Sequence, residues 1–425
     1  MSKKIIQFIL KFLSRRVIKK YKPLIIGITG SVGKSSTKEA VYEVLKHDFK
    51  VRVSQGNYNN EIGLPLTILG LVSAEKNVFG WFKIFFGALF NLPEKNDYPR
   101  ILILEMAADH PGDIDYLLKI VKPEIGILTS IGPTHLKFFK SVENVFEEKK
   151  KLIEALPING WAILNKDDGM VSSLERRVKS KVLTFGLSEE ATIRAIEIVL
   201  GQELNGGAPK INGLQFKVKY KGSLVPISLP NIISYSSIYA IEAAIAVGLS
   251  FNLNLLQIAN YLSSYKNLAG RMSVIKGKKE TLIIDDTYNS SPKAVEEALQ
   301  VLSEIKIGPS ERKWVVLADM LELGEGSSQL HYEVGEKIAK ANKFDFLLTT
   351  GKEAAHMAFG AKEKGMNEKN VLFFEDRSQL IEFLQKNILK GDVILIKGSR
   401  GMQMEKAVEA IMLEPEKAEK LLVHL

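Results

Sequence analysis

The residue types best suited to chemistry lie at positions 27–37, which read Gly-Ile-Thr-Gly-Ser-Val-Gly-Lys-Ser-Ser-Thr. Glycines in such a loop permit tight turns whose backbone N–H groups point at phosphate oxygens. Lys34 can reach the β- and γ-phosphates of a nucleotide, and the Ser35 hydroxyl can ligate Mg²⁺. The first glycine of the usual pattern is displaced, since Ile28 occupies its place. The loop predicts a nucleoside triphosphate site formed by Thr29, Gly30, Ser31, Gly33, Lys34, Ser35 and Ser36.

The elements around this loop are those a phosphate cradle needs. An apolar run at 24–28 precedes it and a helical pattern at 38–45 follows, so the partial positive charge of a helix N-terminus faces the phosphates. Further apolar strands are predicted at 101–105, 125–130 and 161–164, separated by helical stretches. This alternation indicates a parallel sheet with its chemistry at the carboxyl ends of the strands.

Two polar residues after these strands are candidate metal ligands. Glu105 ends one strand and His135 follows another, so that together with Ser35 they can bind Mg²⁺ around a triphosphate. Taken alone, a histidine after a strand is more often structural. The run from Glu143 to Lys151 is typical of a solvated helix face.

The second half of the chain predicts a separate α/β unit. A strand at 214–220 and a helix at 237–247 precede a boundary near Arg271. Arg271 alone is either a phosphate-stabilising group or a surface arginine, and Asp285-Asp286 is either a ligand pair or a polar turn. The strands predicted beyond the boundary lie at 281–284, 314–317, 346–349, 371–374 and 393–396.

The fold class predicted is therefore α/β, with a P-loop parallel-sheet central ATPase domain and a C-terminal Rossmann-like α/β domain. We place a basic amphipathic N-terminal helix at 1–23, the central domain at 24–271 and the C-terminal domain at 272–425. The length of 425 residues suits more than one core.

Composition limits the functions available. The chain has no cysteine, which excludes disulfides and fits a cytoplasmic location. The net charge of +9 comes almost entirely from residues 1–22, which hold eight basic residues and no acidic ones. Because the remainder is almost neutral, we expect no nucleic-acid partner. No uncharged apolar run is long enough to span a membrane.

Two segments predict surfaces with alternative uses. Residues 1–22 form an amphipathic basic helix that suits the anionic inner face of a membrane, or else packs on the protein or a partner. Residues 78–92 are rich in aromatic side chains. They form either a buried helix, which is the favoured interpretation, or a second apolar surface.

Several motifs in fixed order resemble one known family, the Mur ligases, which form amide bonds with ATP in peptidoglycan synthesis. The similarity runs from about residue 24 to the C-terminus and is strongest to the branch that adds D-alanyl-D-alanine. The motifs are Thr-Gly-Ser-Val-Gly-Lys-Ser-Ser at 29–36, Asn-Tyr-Asn-Asn-Glu-Ile-Gly at 57–63, Glu-Met-Ala-Ala-Asp at 105–109, Gly-Pro-Thr-His-Leu at 132–136, Asn-Lys-Asp-Asp at 165–168, Gly-Arg-Met at 270–272, Asp-Asp-Thr-Tyr-Asn-Ser-Ser-Pro at 285–292, Asp-Met-Leu-Glu-Leu-Gly at 319–324 and Lys-Gly-Ser-Arg at 397–400.

The resemblance implies a role for individual residues. It assigns the β- and γ-phosphates to Lys34 and Mg²⁺ to Ser35, Glu105 and His135. It identifies Lys149 as the lysine that is carbamylated in the family, with the carbamate as ligand for a second Mg²⁺. The residues implied in catalysis are Lys34, His135, Lys149 and Arg271.

It also implies contacts with the substrates. Asn59 and Asn60 match positions facing the acceptor, and Lys397 and Arg400 match positions that hold the carboxylate of the incoming dipeptide. Closure of the two domains would then bring the C-terminal residues to the site. The residues implied around the nucleotide are Asn165, Asp168, Arg271, Asp286 and Tyr288.

The activity implied is ATP-dependent addition of D-alanyl-D-alanine to a muramyl-peptide cell-wall precursor through an acyl-phosphate, with ATP and Mg²⁺ as cofactors. The family's UDP-binding domain normally precedes the phosphate loop, where this sequence has only some 23 residues. We therefore keep as alternatives a lipid-linked or polyglutamate-like acceptor, and a partner chain that supplies acceptor binding. A non-catalytic ATP-binding scaffold is a third hypothesis, disfavoured by the full set of catalytic residues.

Overall fold

The computed structural model describes residues 3–74, 77, 80–81, 85, 87, 94, 96–204 and 207–423. The chain divides into two compact units. The first comprises Met1–Glu197, Phe216–Ile227 and Ser236–Tyr265, and the second comprises Ile198–Gln215, Ser228–Tyr235 and Lys266–Leu425.

Nine strands form the first sheet. They are β1 Leu24–Thr29, β2 Val51–Val53, β3 Ile101–Glu105, β4 Ile125–Leu128, β5 Trp161–Asn165, β6 Lys181–Gly186, β7 Ile193–Glu203, β8 Lys210–Tyr220 and β9 Ser223–Leu229. Their order is β2-β3-β1-β4-β5-β6-β7-β8-β9, in which β1, the strand that leads into the phosphate loop, is third. Neighbours from β2 to β7 in that order pair in parallel, as the sequence predicts.

The predicted strands are confirmed, with small differences at their ends. The strand predicted at 125–130 ends two residues earlier, because Ser130 leaves the sheet and its carbonyl accepts a hydrogen bond from Ser31 N in the phosphate loop. The central strands are buried on both faces, which explains their unbroken apolar runs.

Helices flank this sheet. The helix Ser237–Ser250 packs on α2 and is buried almost throughout, which is why its sequence is apolar on all sides. The helices are α1 Lys3–Tyr21, α2 Lys34–Leu45 and α3 Gly63–Leu69, followed by Asp113–Leu118, Leu136–Phe139, Val142–Lys149, Lys151–Glu154, Gly169–Ser172, Ser237–Ser250 and Leu255–Leu262.

The N-terminal helix α1 packs on the body of the first unit. Val17 and Tyr21 enter the core around β1 and β3, while Ile6 and Leu10 pack with Trp81. The helix prediction is therefore confirmed, and the apolar face is buried against the protein. Most of the aromatic stretch at 78–92 lies outside the described residues.

A six-stranded sheet organises the second unit. Its strands are β10 Ser273–Lys276, β11 Leu282–Asp286, β12 Lys313–Ala318, β13 Phe346–Thr350, β14 Val371–Phe374 and β15 Val393–Lys397. They lie in the order β10-β11-β15-β12-β13-β14. Only the β10–β11 pair is antiparallel among these neighbours.

Each face of this second sheet carries its own core, because successive side chains of a strand point to opposite faces. Val315 of β12 packs with Leu299 and Val334 on one face, and Val316 packs with Leu380 on the other. This is the doubly wound α/β arrangement that the sequence predicts. The helices are Pro292–Glu304, Ser327–Ala341, Ala355–Glu363, Arg377–Asn387, Glu405–Ile411 and Ala418–Leu421, with short 3₁₀ turns at Lys278–Glu280, Gly324–Gly326, Glu368–Asn370, Arg400–Met402 and Pro415–Lys417. Within the described residues, no helix of either unit is both long and apolar enough to cross a bilayer.

Candidate active site

The phosphate loop joins β1 to α2 and is held against the end of β4. Gly30 has φ 149°, and a Cβ built there would lie 1.9 Å from Thr129 Oγ1. Gly33 has φ 86° and precedes the first turn of α2. Thr129 Oγ1 donates to the Val32 carbonyl at 2.6 Å, which ties the loop down. Both glycines are therefore needed for this backbone, one for space and one for its left-handed conformation.

Lys34 folds back over the loop. Its Nζ donates to the carbonyls of Gly30 at 2.9 Å and Ser31 at 3.2 Å. The Thr29 hydroxyl donates to Met106 O, and the Ser36 carbonyl accepts from Tyr265 Oη. These contacts keep the predicted phosphate-binding residues in one compact loop at the carboxyl edge of the sheet, where anions are best received.

Ser35 and Glu105 meet as the sequence predicts. Ser35 Oγ donates to Glu105 Oε2 at 2.9 Å, and Asn59 Nδ2 donates to Glu105 Oε1 at 3.0 Å. Glu105 is 2% exposed. A hydroxyl beside a buried carboxylate at a phosphate loop is a hard-oxygen donor set, which suits Mg²⁺ completed by water and nucleotide phosphates. In the described part of the chain, no three His, Asp or Glu side chains gather into a metal cluster.

His135 forms a different pair. Its Nε2 lies 3.2 Å from Asp109 Oδ1, and its backbone is left-handed with φ 53° at the start of the helix Leu136–Phe139. Sequence reasoning gave no role to Asp109, although it closes the 105–109 motif. The 105–109 motif could have identified Asp109 as a candidate site residue. Its contact with His135, however, is evident only from the fold.

Lys149 ends the helix Val142–Lys149 and is 2% exposed. Burial, and secondarily the charge of Lys34, lowers the pKa of Lys149 to about 7. Its neighbour Glu148 is already used, accepting from Ile114 N at 2.8 Å and Lys151 Nζ at 2.7 Å. Across the ranges the structure describes, no carboxylate lies within ion-pair distance of Lys149 Nζ. The prediction of a solvated helix face for 143–151 is therefore wrong at Lys149, which is a buried amine because the helix end packs into the protein.

Asn165 and Asp168 organise the loops beyond β4 and β5. Asn165 Nδ2 donates to Thr129 O at 2.8 Å. Asp168 Oδ2 accepts from Ile131 N at 2.7 Å, while its other oxygen caps the helix Gly169–Ser172. Asn60 likewise uses its side-chain oxygen to accept from two N–H groups at the start of α3. These three predicted contact residues therefore shape the backbone of the site.

The second unit assembles its own predicted residues. Lys397 Nζ lies 2.6 Å from Asp286 Oδ2 and donates to Asn289 O at 2.8 Å. Asp286 Oδ1 accepts from Met272 N. This pair follows from the sheet register, in which Asp286 of β11 is opposite Lys397 of β15.

Arg271 stacks its guanidinium over the ring of Tyr288, 4.1 Å from the centroid. Tyr288 N donates to Gly270 O, so the two residues are also held through the backbone. Arg400 begins the 3₁₀ turn after β15. His331 was not singled out from the sequence. Its Nε2 accepts from Met320 N and so supports the 319–324 motif.

A phosphate loop on a parallel sheet, with a hydroxyl and a carboxylate at its mouth, defines a nucleotide-binding α/β enzyme. Family models extend this assignment. The Mur ligase middle domain matches residues 28–79 and 88–231, and the Mur ligase glutamate ligase domain matches residues 270–400. The chain belongs to the Mur ligase family and is therefore an ATP-dependent ligase.

Individual relatives agree with this assignment. The UDP-N-acetylmuramoyl-tripeptide–D-alanyl-D-alanine ligase of Bacillus subtilis is 30% identical over 406 residues, covering 96% of this chain and 79% of that protein. The Escherichia coli enzyme of the same name is 30% identical, with 91% and 76% covered. A crystal structure of Thermotoga maritima MurF ligase in complex with ADP is similar with TM-score 0.73 and 28% identity, covering 97% of this chain and 84% of that one.

Proposed function

We propose that this chain joins D-alanyl-D-alanine to a UDP-N-acetylmuramoyl-tripeptide, using ATP and an acyl-phosphate intermediate. The observation that carries the proposal is the contact of Ser35 with buried Glu105 at a phosphate loop. The names of the relatives support this substrate pair and do not favour a polyglutamate-like or lipid-linked acceptor.

The first unit would bind and orient ATP. The loop N–H groups and Lys34 would hold the β- and γ-phosphates, while Ser35 and Glu105 would hold Mg²⁺. Bound Mg²⁺ supplies positive charge that neutralises the phosphate oxygens. Asn165 and Asp168 would shape the wall beside the nucleotide, and Asn59 and Asn60 would face the acceptor.

The reaction would take place in two steps. An oxygen of the acceptor carboxylate forms a bond to the γ-phosphorus, and the bond to the β–γ bridging oxygen breaks to release ADP. The amine nitrogen of the dipeptide then bonds to the acyl carbon and gives up a proton. Collapse of the tetrahedral intermediate breaks the carbon–oxygen bond and releases phosphate. Positioning and charge neutralisation are the protein's main contributions to such chemistry.

We further propose that Lys149 is carbamylated. A lysine with a pKa of about 7 is substantially neutral at cellular pH, and a neutral amine attacks carbon dioxide to form a carbamate with loss of one proton. Burial is the main reason for the lowered pKa of Lys149, and the charge of Lys34 is the second. The carbamate is an anion, so it would replace the repulsion from Lys34 with an attraction. Its oxygens would be ligands for a second Mg²⁺. His135 would position Mg²⁺ together with Ser35 and Glu105.

The second unit would supply the dipeptide site. Arg400 offers a planar fork that suits a carboxylate. Lys397 would orient it while paired with Asp286, and Arg271 and Tyr288 would lie near the nucleotide. The proposal includes domains at 24–271 and 272–425 and a cytoplasmic location. It also includes contact of residues 1–22 with an anionic membrane, and a partner chain that contributes to acceptor binding.

The test is product formation from Mg-ATP, D-alanyl-D-alanine and the soluble UDP-linked tripeptide, followed by phosphate release and mass spectrometry of the product. The expected product is the pentapeptide precursor, formed only when all three substrates are present. Phosphate release that does not depend on the dipeptide, or no product with this acceptor, would contradict the assignment.

Matched variants connect activity to the site. Lys34→Ala should lower the turnover by about 100-fold or more, because it removes charge stabilisation at the transferred phosphate. Lys46→Ala, at the other end of α2, removes a lysine that pairs with Glu43 and should leave turnover unchanged. Equal effects of the two variants would contradict the role of Lys34.

The proposed carbamate on Lys149 can be detected independently of ligase activity. In buffer with ¹³C-labelled bicarbonate, the protein should show a carbamate carbon signal that Lys149→Ala abolishes. Lys150→Ala is the control, since Lys150 is adjacent in sequence but forms ion pairs with Glu147 and Glu154. A signal that persists in Lys149→Ala would assign the carbamate elsewhere.

A further inference from the structure

The outer face of α1 is not explained by the ligase site. Its inner face is used by the fold, since Ile6, Leu10, Leu13 and Val17 are buried. The opposite face carries Phe8 and Phe12 among basic residues. Phe8 is 72% exposed and Phe12 is 54% exposed. Two aromatic rings one helical turn apart are therefore left in solvent although the helix has already buried its apolar stripe.

A groove runs along this outer face. It has a volume of about 880 Å³ and lies between α1 and the segments 22–25 and 120–124, all in the first unit. We name it the α1 groove. Its apolar lining comes from Phe8, Phe12, Ile18, Pro23, Ile25 and Ile120.

The groove is also lined by cations. These are Lys11, Arg15, Arg16, Lys19, Lys22 and Lys122. In the part of the chain that the structure describes, none of the six lies within ion-pair distance of a carboxylate. By contrast, Lys3 at the start of the same helix pairs with Glu61 at 2.7 Å.

The cations repel one another. The pKa of Lys11 is lowered by partial burial and by the charges of Lys119 and Arg15. The lining includes one carboxylate, Glu124, whose Oε2 already accepts from Ile25 N at 2.7 Å. An anion bound among these cations would relieve their repulsion, which is a direct case of charge complementarity.

We propose that the α1 groove binds an anionic phospholipid of a membrane leaflet, with its phosphate among the cations and the first part of a chain against Phe8, Phe12 and Ile120. The apolar lining favours this occupant, because an acidic protein surface or a free phosphate would use the cations and leave the rings in water. The proposal rests on the membrane contact proposed above for residues 1–22 and not on the ligase activity. It assigns the binding to a groove that includes residues beyond the N-terminal helix.

Vesicle co-sedimentation of the full chain, without nucleotide, tests the proposal. The parent protein should bind phosphatidylcholine vesicles that contain phosphatidylglycerol and should not bind phosphatidylcholine alone. Arg15→Gln/Lys19→Gln/Lys22→Gln should weaken binding by about 100-fold, since each basic residue near an anionic surface contributes about fivefold. Absence of parent binding to the anionic vesicles would overturn the proposal.

A matched triple variant distinguishes binding in the α1 groove from attraction by the net charge of the protein. Arg176→Gln/Arg177→Gln/Lys179→Gln removes the same charge from another exposed basic segment of the first unit. It should keep most of the parent's binding. Equal weakening by the two triple variants would mean attraction by net charge and would overturn a localised site.

Substitution of the two exposed phenylalanines tests whether a lipid chain binds in the α1 groove. Phe8→Ser/Phe12→Ser should weaken binding at least tenfold in high salt, where the charge contribution is screened. Unchanged binding would overturn the placement of a lipid chain in the groove. Unchanged circular dichroism and ligase turnover in each variant would show that the fold is intact, because none of these residues belongs to the ligase site.

Discussion

The two units each bury a lysine beside their predicted site, and the two lysines have opposite surroundings. Lys149 and Lys397 are both 2% exposed. Lys397 forms an ion pair with Asp286 at 2.6 Å. Lys149 has no such partner among the described residues, and burial lowers its pKa to about 7. Burial alone therefore does not determine the protonation state of a lysine, because a neighbouring carboxylate decides whether the amine keeps its charge.

The local structure explains the difference. Asp286 and Lys397 are register partners on adjacent parallel strands, so the sheet itself sets their contact. Lys149 lies at the end of a helix, and the nearby Glu148 is turned to Ile114 N and Lys151. A paired lysine suits a fixed binding surface, whereas an unpaired amine suits covalent modification.

Removal of the ion-pair partner of Lys397 should have the greatest cost in stability. Asp286→Ala would leave a buried ammonium without its partner and should lower the free energy of unfolding by about 3–5 kcal/mol. Urea unfolding followed by circular dichroism measures this change.

Two controls sharpen the result. Glu414→Ala removes the partner of Lys417 from an exposed ion pair and should cost less than about 1 kcal/mol. Asp286→Ala/Lys397→Met should recover much of the loss, because the buried charge is gone. If Asp286→Ala costs no more than Glu414→Ala, the charge of Lys397 is not effectively buried.

The second prediction concerns the unpaired lysine and depends on pH. The folded-state pKa of Lys149, about 7, lies below its ordinary value of 10.5, so the unfolded chain binds this proton more tightly. The resulting penalty is complete below about pH 7 and disappears as pH rises toward the ordinary value. Lys149→Met should therefore raise the free energy of unfolding at about pH 6, by about 5 kcal/mol at most, and should raise it progressively less at higher pH.

Urea unfolding in carbon-dioxide-free buffer across this range measures the trend. Ile153→Met, at a buried position without a titratable group, should give a difference that is nearly constant with pH. A pH-independent effect of Lys149→Met would contradict the lowered pKa.

The third prediction tests the phosphate loop. Gly30→Ala would place a Cβ against Thr129 Oγ1 in a conformation that alanine rarely adopts, and should destabilise the protein by about 1–3 kcal/mol. Nucleotide binding should weaken with it, which titration calorimetry with Mg-ADP can measure. Gly169→Ala is the control, since a Cβ there meets nothing within 4 Å. Equal effects would mean that the close approach at Gly30 is not restrictive.

The smallest effect is expected at Arg271 in the second unit. Tyr288→Leu removes the ring under the guanidinium and should cost about 0.5–1 kcal/mol of stability. Tyr288→Phe keeps the ring and should be nearly neutral. Thermal unfolding of the two variants separates the contribution of the ring from that of the hydroxyl, and an equal loss in both would contradict the stacking role.

Most of the strands could be predicted because their apolar runs are continuous. Residues 371–374 were predicted as a strand and form β14, and 346–349 differs from β13 by one residue. Helix faces were harder. Residues 1–22 predict an amphipathic helix with one apolar side, yet the apolar residues Ile5 and Phe12 are 51% and 54% exposed. The helical period predicts that a helix has two different faces. It does not predict which side chains become buried, because the residues that pack against the helix are distant in sequence.

The α/β class and the phosphate loop can be predicted from the sequence because they follow from local patterns. Ser35 and Glu105 can be assigned to one edge of the sheet because the carboxyl ends of parallel strands meet there. The contact of Asp109 with His135, the burial of Lys149 and the ion pair of Lys397 become evident only in the folded chain. Each of these features depends on side chains that are far apart in sequence and close together in the folded protein. Burial and the charge of a neighbouring group therefore cannot be read from the local sequence.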